Sequence, residues 1–286
     1  MRNGTTEGQA ASGRSDSVVI AVAPNGGRRT KVDHSALPIT PEELASVAAA
    51  SLDAGAAMIH VHVRDRDGGH LLDAEAYRAA TAAIKARVGE GLVVQITSEA
   101  LEMYQPEQQM RVVLETRPEA VSLALREFVP DEAHESAFAA FLQKLRVEKI
   151  APQVILYSPE EATRLAALAK RGVIPFDNVP VLYVLGRYTV GQKSSPADLL
   201  PFLAPGTAPF RHWMVCAFGA CETACVTAAA LLGGHARVGF ENNLLLPDGA
   251  LASGNQDLVA ATRRAVEACG LRLSGADALR AQWAFD

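Results

Sequence analysis

Apolar, strand-like runs alternate with Ala-rich helical segments along most of this chain, and that alternation most constrains its fold. The runs fall at 17–24, 58–65, 92–98, 120–125, 152–158, 179–186, 212–219 and 235–242. Helical segments such as 41–54, 74–87, 159–170, 220–232 and 256–269 lie between or after them. Helix starts carry their own marks. Thr40-Pro41-Glu42-Glu43 offers an N-cap, a proline at the first helical position and a glutamate able to close a capping box. Ser158-Pro159-Glu160-Glu161 repeats that logic. Eight β-α units in succession, with no linker or composition break, predict an α/β fold: a single-domain TIM (β/α)8 barrel over 17–286. A doubly wound open sheet is the rival. It has no need of eight strands and usually shows a Gly-rich nucleotide loop after its first strand, whereas Pro24-Asn-Gly-Gly27 is neither GxGxxG nor a P-loop.

Bulk properties exclude some partners. With 49% hydrophobic and 21% charged residues the chain can bury a large core, and a net charge of −5 without a basic stripe argues against nucleic acid. Residues 1–16 are rich in Gly, Ser, Thr and Asn and lack an apolar run, so they read as a disordered tail rather than a signal peptide. No stretch is long and apolar enough to predict a membrane span. Cys216, Cys221, Cys225 and Cys269 lack CxxC spacing and read as small buried thiols of a reducing cytoplasm, with Cys221 and Cys225 placed to share a helix face.

The chemistry concentrates in two strands. In Met58-Ile-His-Val-His-Val-Arg-Asp65, strand alternation puts His60 and His62 on one face and Ile59, Val61 and Val63 on the other. Two imidazoles so placed can grip one divalent cation, zinc being the commonest guest. A pair of hydrogen-bonded core histidines is the alternative, but it costs two polar burials on one strand. The second is Gly233-Gly-His-Ala-Arg-Val-Gly-Phe-Glu-Asn-Asn243, where Arg237, Gly239 and Glu241 share a face opposite Ala236, Val238 and Phe240. Arg237 and Glu241 are then aimed into the barrel, either as a buried ion pair or as part of a site, and Glu241 is the natural third ligand. Gly233-Gly234 suits a phosphate site or a tight turn. His235 reads as fixing that turn; His34, His70, His134 and His212 show no partner pattern, and Trp213 and Trp283 read as packing residues.

Those two blocks, with Leu37-Pro-Ile-Thr-Pro-Glu-Glu43, Val94-Gln-Ile-Thr97 and Tyr183-Val-Leu-Gly186, make the chain resemble the beta-keto acid cleavage enzyme family from about residue 17 onward. The resemblance implies a zinc-dependent TIM barrel that converts a β-keto acid and acetyl-CoA into acetoacetate and a new acyl-CoA. It implies zinc ligation by His60, His62 and Glu241, catalytic roles at Arg237 and at position 242, and keto-acid contacts from Thr97 and Ser122. It also implies a homotetramer, with a dimer possible.

Three departures matter. The family's Glu-Asp-Asn reads Glu241-Asn242-Asn243, and an amide cannot serve as the base implied for that aspartate. Asp65, Glu99 and Glu222, near strand ends, are the carboxylates that can replace it. Arg28 and Ile155 stand where the family's founding member meets its substrate's amine with glutamates. The amino keto acid is therefore not the expected substrate; an anionic or apolar keto acid is, with Arg28 and Arg29 placed to hold a distal carboxylate. Two further readings stay open: a metal-dependent aldolase or hydrolase, and a metal-binding homologue without turnover.

Overall fold

The computed structural model describes residues 16–284 except 206, 208 and 209; the expected tail over 1–16 lies, apart from Asp16, outside the described residues. Eight parallel strands close into a barrel: β1 (Ile20–Val22), β2 (Met58–Val61), β3 (Val93–Ile96), β4 (Ala120–Ala124), β5 (Ala151–Leu156), β6 (Val181–Leu185), β7 (Trp213–Ala217) and β8 (His235–Val238). β8 returns to β1, with Arg237 opposite Ala21. The helices α1 (Pro41–Ala54), α2 (Ala74–Val88), α3 (Pro106–Thr116), α4 (Glu135–Val147), α5 (Pro159–Lys170), α6 (Glu222–Leu231) and α7 (Asn255–Ala268) form the outer layer. After β6 the outer position is taken by a 3-10 helix, Pro196–Leu203, where the interior Pro201 disfavours an α-helix.

All eight expected strands form, each shorter than its apolar run, and in three the departure has a visible cause. Residues Ser17–Val18 leave the barrel to pair with Arg272–Leu273, and Val63–Arg64 turn away into an antiparallel pair with His70–Leu71. The last strand stops at Val238. Gly239 has φ +138°, and a Cβ there would lie 2.4 Å from the Ala23 carbonyl oxygen, so only glycine lets the chain turn here. Glu241 thus belongs to the turn that follows β8 rather than to the strand.

The caps behave as expected at α1: Thr40 Oγ1 accepts from Glu43 N–H at 3.3 Å, and Glu43 returns the bond to Thr40 N–H at 3.2 Å. At α5, Ser158 caps Glu161 N–H, but Glu161 reaches back one residue further, to Tyr157 N–H at 2.6 Å.

Strand alternation sorts the apolar residues into two layers. Ile59, Val61, Val63, Ala236, Val238 and Phe240 pack outward against the helices. Met58, Val93, Leu182 and Met214 fill the barrel and continue into Leu279 and Trp283 of α8 (Ala276–Trp283). Arg280 Nε bonds Glu119 Oε1 at 2.6 Å, and Arg280 Nη2 donates to the Leu92 carbonyl at 3.1 Å. Glu119 and Leu92 precede β4 and β3, so α8 plugs the N-terminal end, leaving chemistry to the opposite mouth.

Gly233-Gly234 also lies at the plugged end, between α6 and β8. Gly234 is pressed against Trp213, whose ring a Cβ would meet at 2.3 Å; the pair makes a close-packed turn and no phosphate site. His235 fixes this end, with Nδ1 accepting from Val19 N–H and Nε2 meeting Gln282 Oε1 at 2.9 Å. Of the thiols, Cys216 and Cys225 are buried, but Cys221 and Cys269 are exposed, so the expectation of four buried cysteines holds only for the first two. Among the described residues no helix is long and apolar enough to cross a membrane.

Candidate active site

β2 and β3 are in register with His60 opposite Gln95, and parallel partners point the same way. Gln95 Oε1 meets His60 Nδ1 at 2.8 Å, and its amide nitrogen donates to Gln153 Oε1 at 3.0 Å. That second bond sets the amide so that its carbonyl faces the imidazole. The proton of His60 is therefore on Nδ1, and Nε2 presents a bare lone pair. Burial, with Arg237 and His62 adding to it against Glu241, pushes His60 down to about 3, so the ring is neutral at ordinary pH.

His60 Nε2 lies 3.2 Å from His62 Nε2, and Glu241 Oε2 lies 3.6 and 3.4 Å from those two nitrogens. Ligand arms of about 2.0–2.1 Å in a tetrahedron span edges of about 3.3–3.4 Å, which fits this triangle. Glu241 Oε2 is buried and has no hydrogen-bond partner. Burial alone would raise the Glu241 carboxyl, but Arg237 and the imidazoles hold it well below the usual carboxylate range. Two imidazole nitrogens converging with an orphaned carboxylate oxygen fit a divalent cation better than a structural histidine pair.

The backbone around the triad is held by residues that carried no signal in the sequence. Asn25 is fully buried; its Nδ2 donates to the carbonyls of His62 at 2.9 Å and Pro38 at 3.1 Å, and its Oδ1 accepts from His62 N–H. Arg64 donates to the carbonyls of Gly26, Gly68 and Arg29, tying the loop after β1 to that after β2. Gly26, at φ +61°, leaves room for Glu241; a Cβ there would lie 2.7 Å from Glu241 Cγ.

Arg237 rises from β8 opposite Cys216 and is almost wholly buried. Its Nη2 donates to Glu241 Oε1 at 2.9 Å, Asn242 Oδ1 at 3.1 Å and Cys216 Sγ at 3.3 Å. Nε and Nη1 have no partner. Burial opposes the charge, but Cys216, Glu241 and Tyr157 outweigh it and keep the guanidinium protonated.

One pocket at the mouth, with roughly 740 Å³ of empty space including its open entrance, joins His60, His62, Glu241 and Arg237 to Thr97, Ser122 and Arg28. Ser122 Oγ is buried and unpartnered there. Asn242 does not line the pocket; it is wholly buried, with its carbonyl on Arg237 and its amide toward Glu222 Oε1 at 3.4 Å.

The three replacement carboxylates separate clearly. Asp65 is exposed and closes the 65–69 turn, accepting from Asp67 N–H and Gly69 N–H, so it has no part in the pocket. Glu222 is buried beneath the site, where the Gly239 N–H and the Asn242 and Asn243 amides donate to it. Burial pushes it up to about 8 against those bonds, and it too does not line the pocket. Glu99 does. Sequence reasoning also missed Arg187, whose guanidinium lies over the Phe218 ring at 5.1 Å in the same pocket, and His70, whose ring is 5.6 Å from that of His62.

A closed (β/α)8 barrel with His60, His62 and Glu241 clustered as candidate metal ligands beside a buried guanidinium at its C-terminal mouth has the build of a barrel enzyme, and the comparisons narrow the class. The chain belongs to the beta-keto acid cleavage enzyme family, which matches residues 17–284. It is 28% identical over 272 residues to a 3-keto-5-aminohexanoate cleavage enzyme of Fusobacterium nucleatum, covering 93% of this chain and 97% of the relative. It is 27% identical over 291 residues to a 3-dehydrocarnitine:acetyl-CoA trimethylamine transferase of Rhizobium meliloti, covering 92% and 95%. Among solved structures, the binary complex of ObcA with oxaloacetate superposes with a TM-score of 0.65 at 18% identity, covering 86% of this chain and 67% of the other; that likeness concerns the fold.

Proposed function

We propose that this protein is a zinc-dependent enzyme that combines a β-keto acid with acetyl-CoA to give acetoacetate and a new acyl-CoA. One observation carries the reading: two imidazole nitrogens and an orphaned carboxylate oxygen converge beside a guanidinium with two unpartnered nitrogens, all facing one pocket. His60, His62 and Glu241 would hold the zinc, which when bound supplies Lewis acidity toward the substrate ketone. Arg237 Nε and Nη1 are placed to receive negative charge that develops on the ketone oxygen. Thr97 and Ser122 orient the keto acid from the barrel wall. Asn242 positions Arg237 from behind and does not handle the proton. The acetyl-CoA co-substrate is supported by the name of the Rhizobium relative.

The substrate we favour is an anionic or apolar keto acid rather than an amino one. Arg28, Arg29 and Arg187 line the pocket with Ile155, Val184 and Phe218, so an ammonium would meet three cations and alkyl groups against one carboxylate, Glu99, outside the His60–His62–Glu241 cluster. We read the assembly as a homo-oligomer, supported by the exposed apolar side chains of Tyr188, Val190 and Leu200, and the compartment as a reducing cytoplasm.

Asn242 favours one competing reading, a metal-binding homologue that has lost turnover, because the amide cannot accept the substrate proton. A metal-dependent aldolase or hydrolase is the other. Acetoacetate release from a panel of β-keto acids, measured with and without acetyl-CoA, separates them. Acetyl-CoA-dependent release supports the proposal. Turnover without acetyl-CoA points to the aldolase or hydrolase, and bound metal without any turnover to the inactive homologue.

A further inference from the structure

Glu99 follows β3 on a loop whose backbone is fixed at every step. Its N–H donates to Thr97 Oγ1 at 3.0 Å, and its carbonyl accepts from His70 Nε2 at 2.7 Å. Ser98 Oγ donates to the Ser122 carbonyl at 2.6 Å, Gln109 Nε2 donates to the Ser98 carbonyl at 2.6 Å, and Ala100 N–H donates to Glu127 at 3.0 Å. Leu101 and Glu102 are held at φ 47° and 63°, a conformation non-glycine residues adopt only where their surroundings impose it. The side chain, by contrast, is uncommitted. Glu99 Oε1 lies 3.8 Å from Arg187 Nη2 and Oε2 lies 3.9 Å from His62 Nδ1, ion-pair distances that are too long for hydrogen bonds.

Glu99 and Glu241 are the two carboxylates among the described residues that line the pocket, and Glu241 is committed to Arg237 and the imidazoles. We propose that Glu99 is the catalytic base of this site, taking the proton from the carbon between the ketone and the carboxylate of the bound keto acid. This rests on the function proposed above. The proton moves from that carbon to Glu99 Oε2, the C–H electron pair becomes the enolate double bond, and the ketone π pair moves to its oxygen, toward Arg237. The same proton returns to carbon when acetoacetate is released, so no further reactant is needed.

The test uses acetoacetate and the intact protein in deuterium oxide, without acetyl-CoA, following C2 deuteration by NMR above the buffer rate. Bound metal, acetoacetate affinity and melting temperature are measured on the same samples. E99Q is expected to lose at least about 100-fold in exchange while metal and affinity stay within about threefold. E99D, which keeps a carboxylate, is expected to retain measurable exchange. Exchange by E99Q at the wild-type rate overturns the proposal, as does loss of metal from E99Q, which would make Glu99 a support for His62. Exchange absent from the wild type removes the underlying functional reading as well, and is thereby told apart from failure of Glu99 alone.

Discussion

Asn242 turns its amide nitrogen toward the buried carboxyl of Glu222, 3.4 Å from Oε1, while its carbonyl accepts from Arg237. The carboxyl of Glu222 therefore stands one hydrogen bond behind Arg237, outside the pocket. Restoring an aspartate at 242 places two carboxyls against each other in a dry site. N242D is expected to lower stability by roughly 1–3 kcal/mol above about pH 8, where Glu222 is ionised as well, one to two units of mutual displacement between like charges. The double variant N242D/E222Q should recover most of it. Denaturant melts of the four proteins in the cycle check this, and independent, additive losses would mean that the two side chains are not in contact.

Glu222 also sets a pH dependence. Its folded-state value of about 8 lies above the ordinary 4.5, so the folded protein holds a proton that the unfolded chain releases between those values. Its contribution is full below pH 4.5 and is lost as pH rises through 8, with a slope of at most about 1.4 kcal/mol per unit. E222Q, which cannot ionise, should show a flatter decline from pH 6 to 9. Parallel stability curves for the two proteins would contradict this.

Gln95 fixes the tautomer of His60 without touching the ligand position. Q95A should keep the fold and weaken metal binding by about 10–100-fold, the usual cost of losing a partner behind a ligating histidine. Competition with a chelator of known affinity measures it.

Arg187 bears on substrate choice. R187Q should raise KM for a dicarboxylic keto acid by about 10–100-fold, the loss of one charge-assisted contact, and change KM for an apolar keto acid far less. Equal effects on both would place the distal carboxylate elsewhere, on Arg28 or Arg29.

The barrel was legible because its signals are local. Eight apolar runs and their capped helices are each written within a dozen residues, and alternation alone placed His60 and His62 opposite Ile59, Val61 and Val63. The convergence of His60, His62 and Glu241 was legible because the two histidines share a strand and Glu241 follows the end of another, both at the same mouth. What supports the triad was not. Gln95 reaches His60 through strand register, and Asn25 and Arg64 act through backbone carbonyls on other loops, contacts that no spacing within one segment encodes. The end of β8 was misplaced for a similar reason: the turn at Gly239 is imposed by the Ala23 carbonyl of the neighbouring strand. Asp65 sat beside the His60–His62 pair in sequence, yet Val63–Arg64 leave the barrel and carry it to the surface.

The most direct measurement is metal content per chain by elemental mass spectrometry after purification and brief exposure to a weak chelator. The account predicts close to one zinc per wild-type chain and less than about one tenth of that in H60A, H62A and E241A, each still folded. Wild-type protein without stoichiometric metal, or alanine variants with unchanged content, would contradict it.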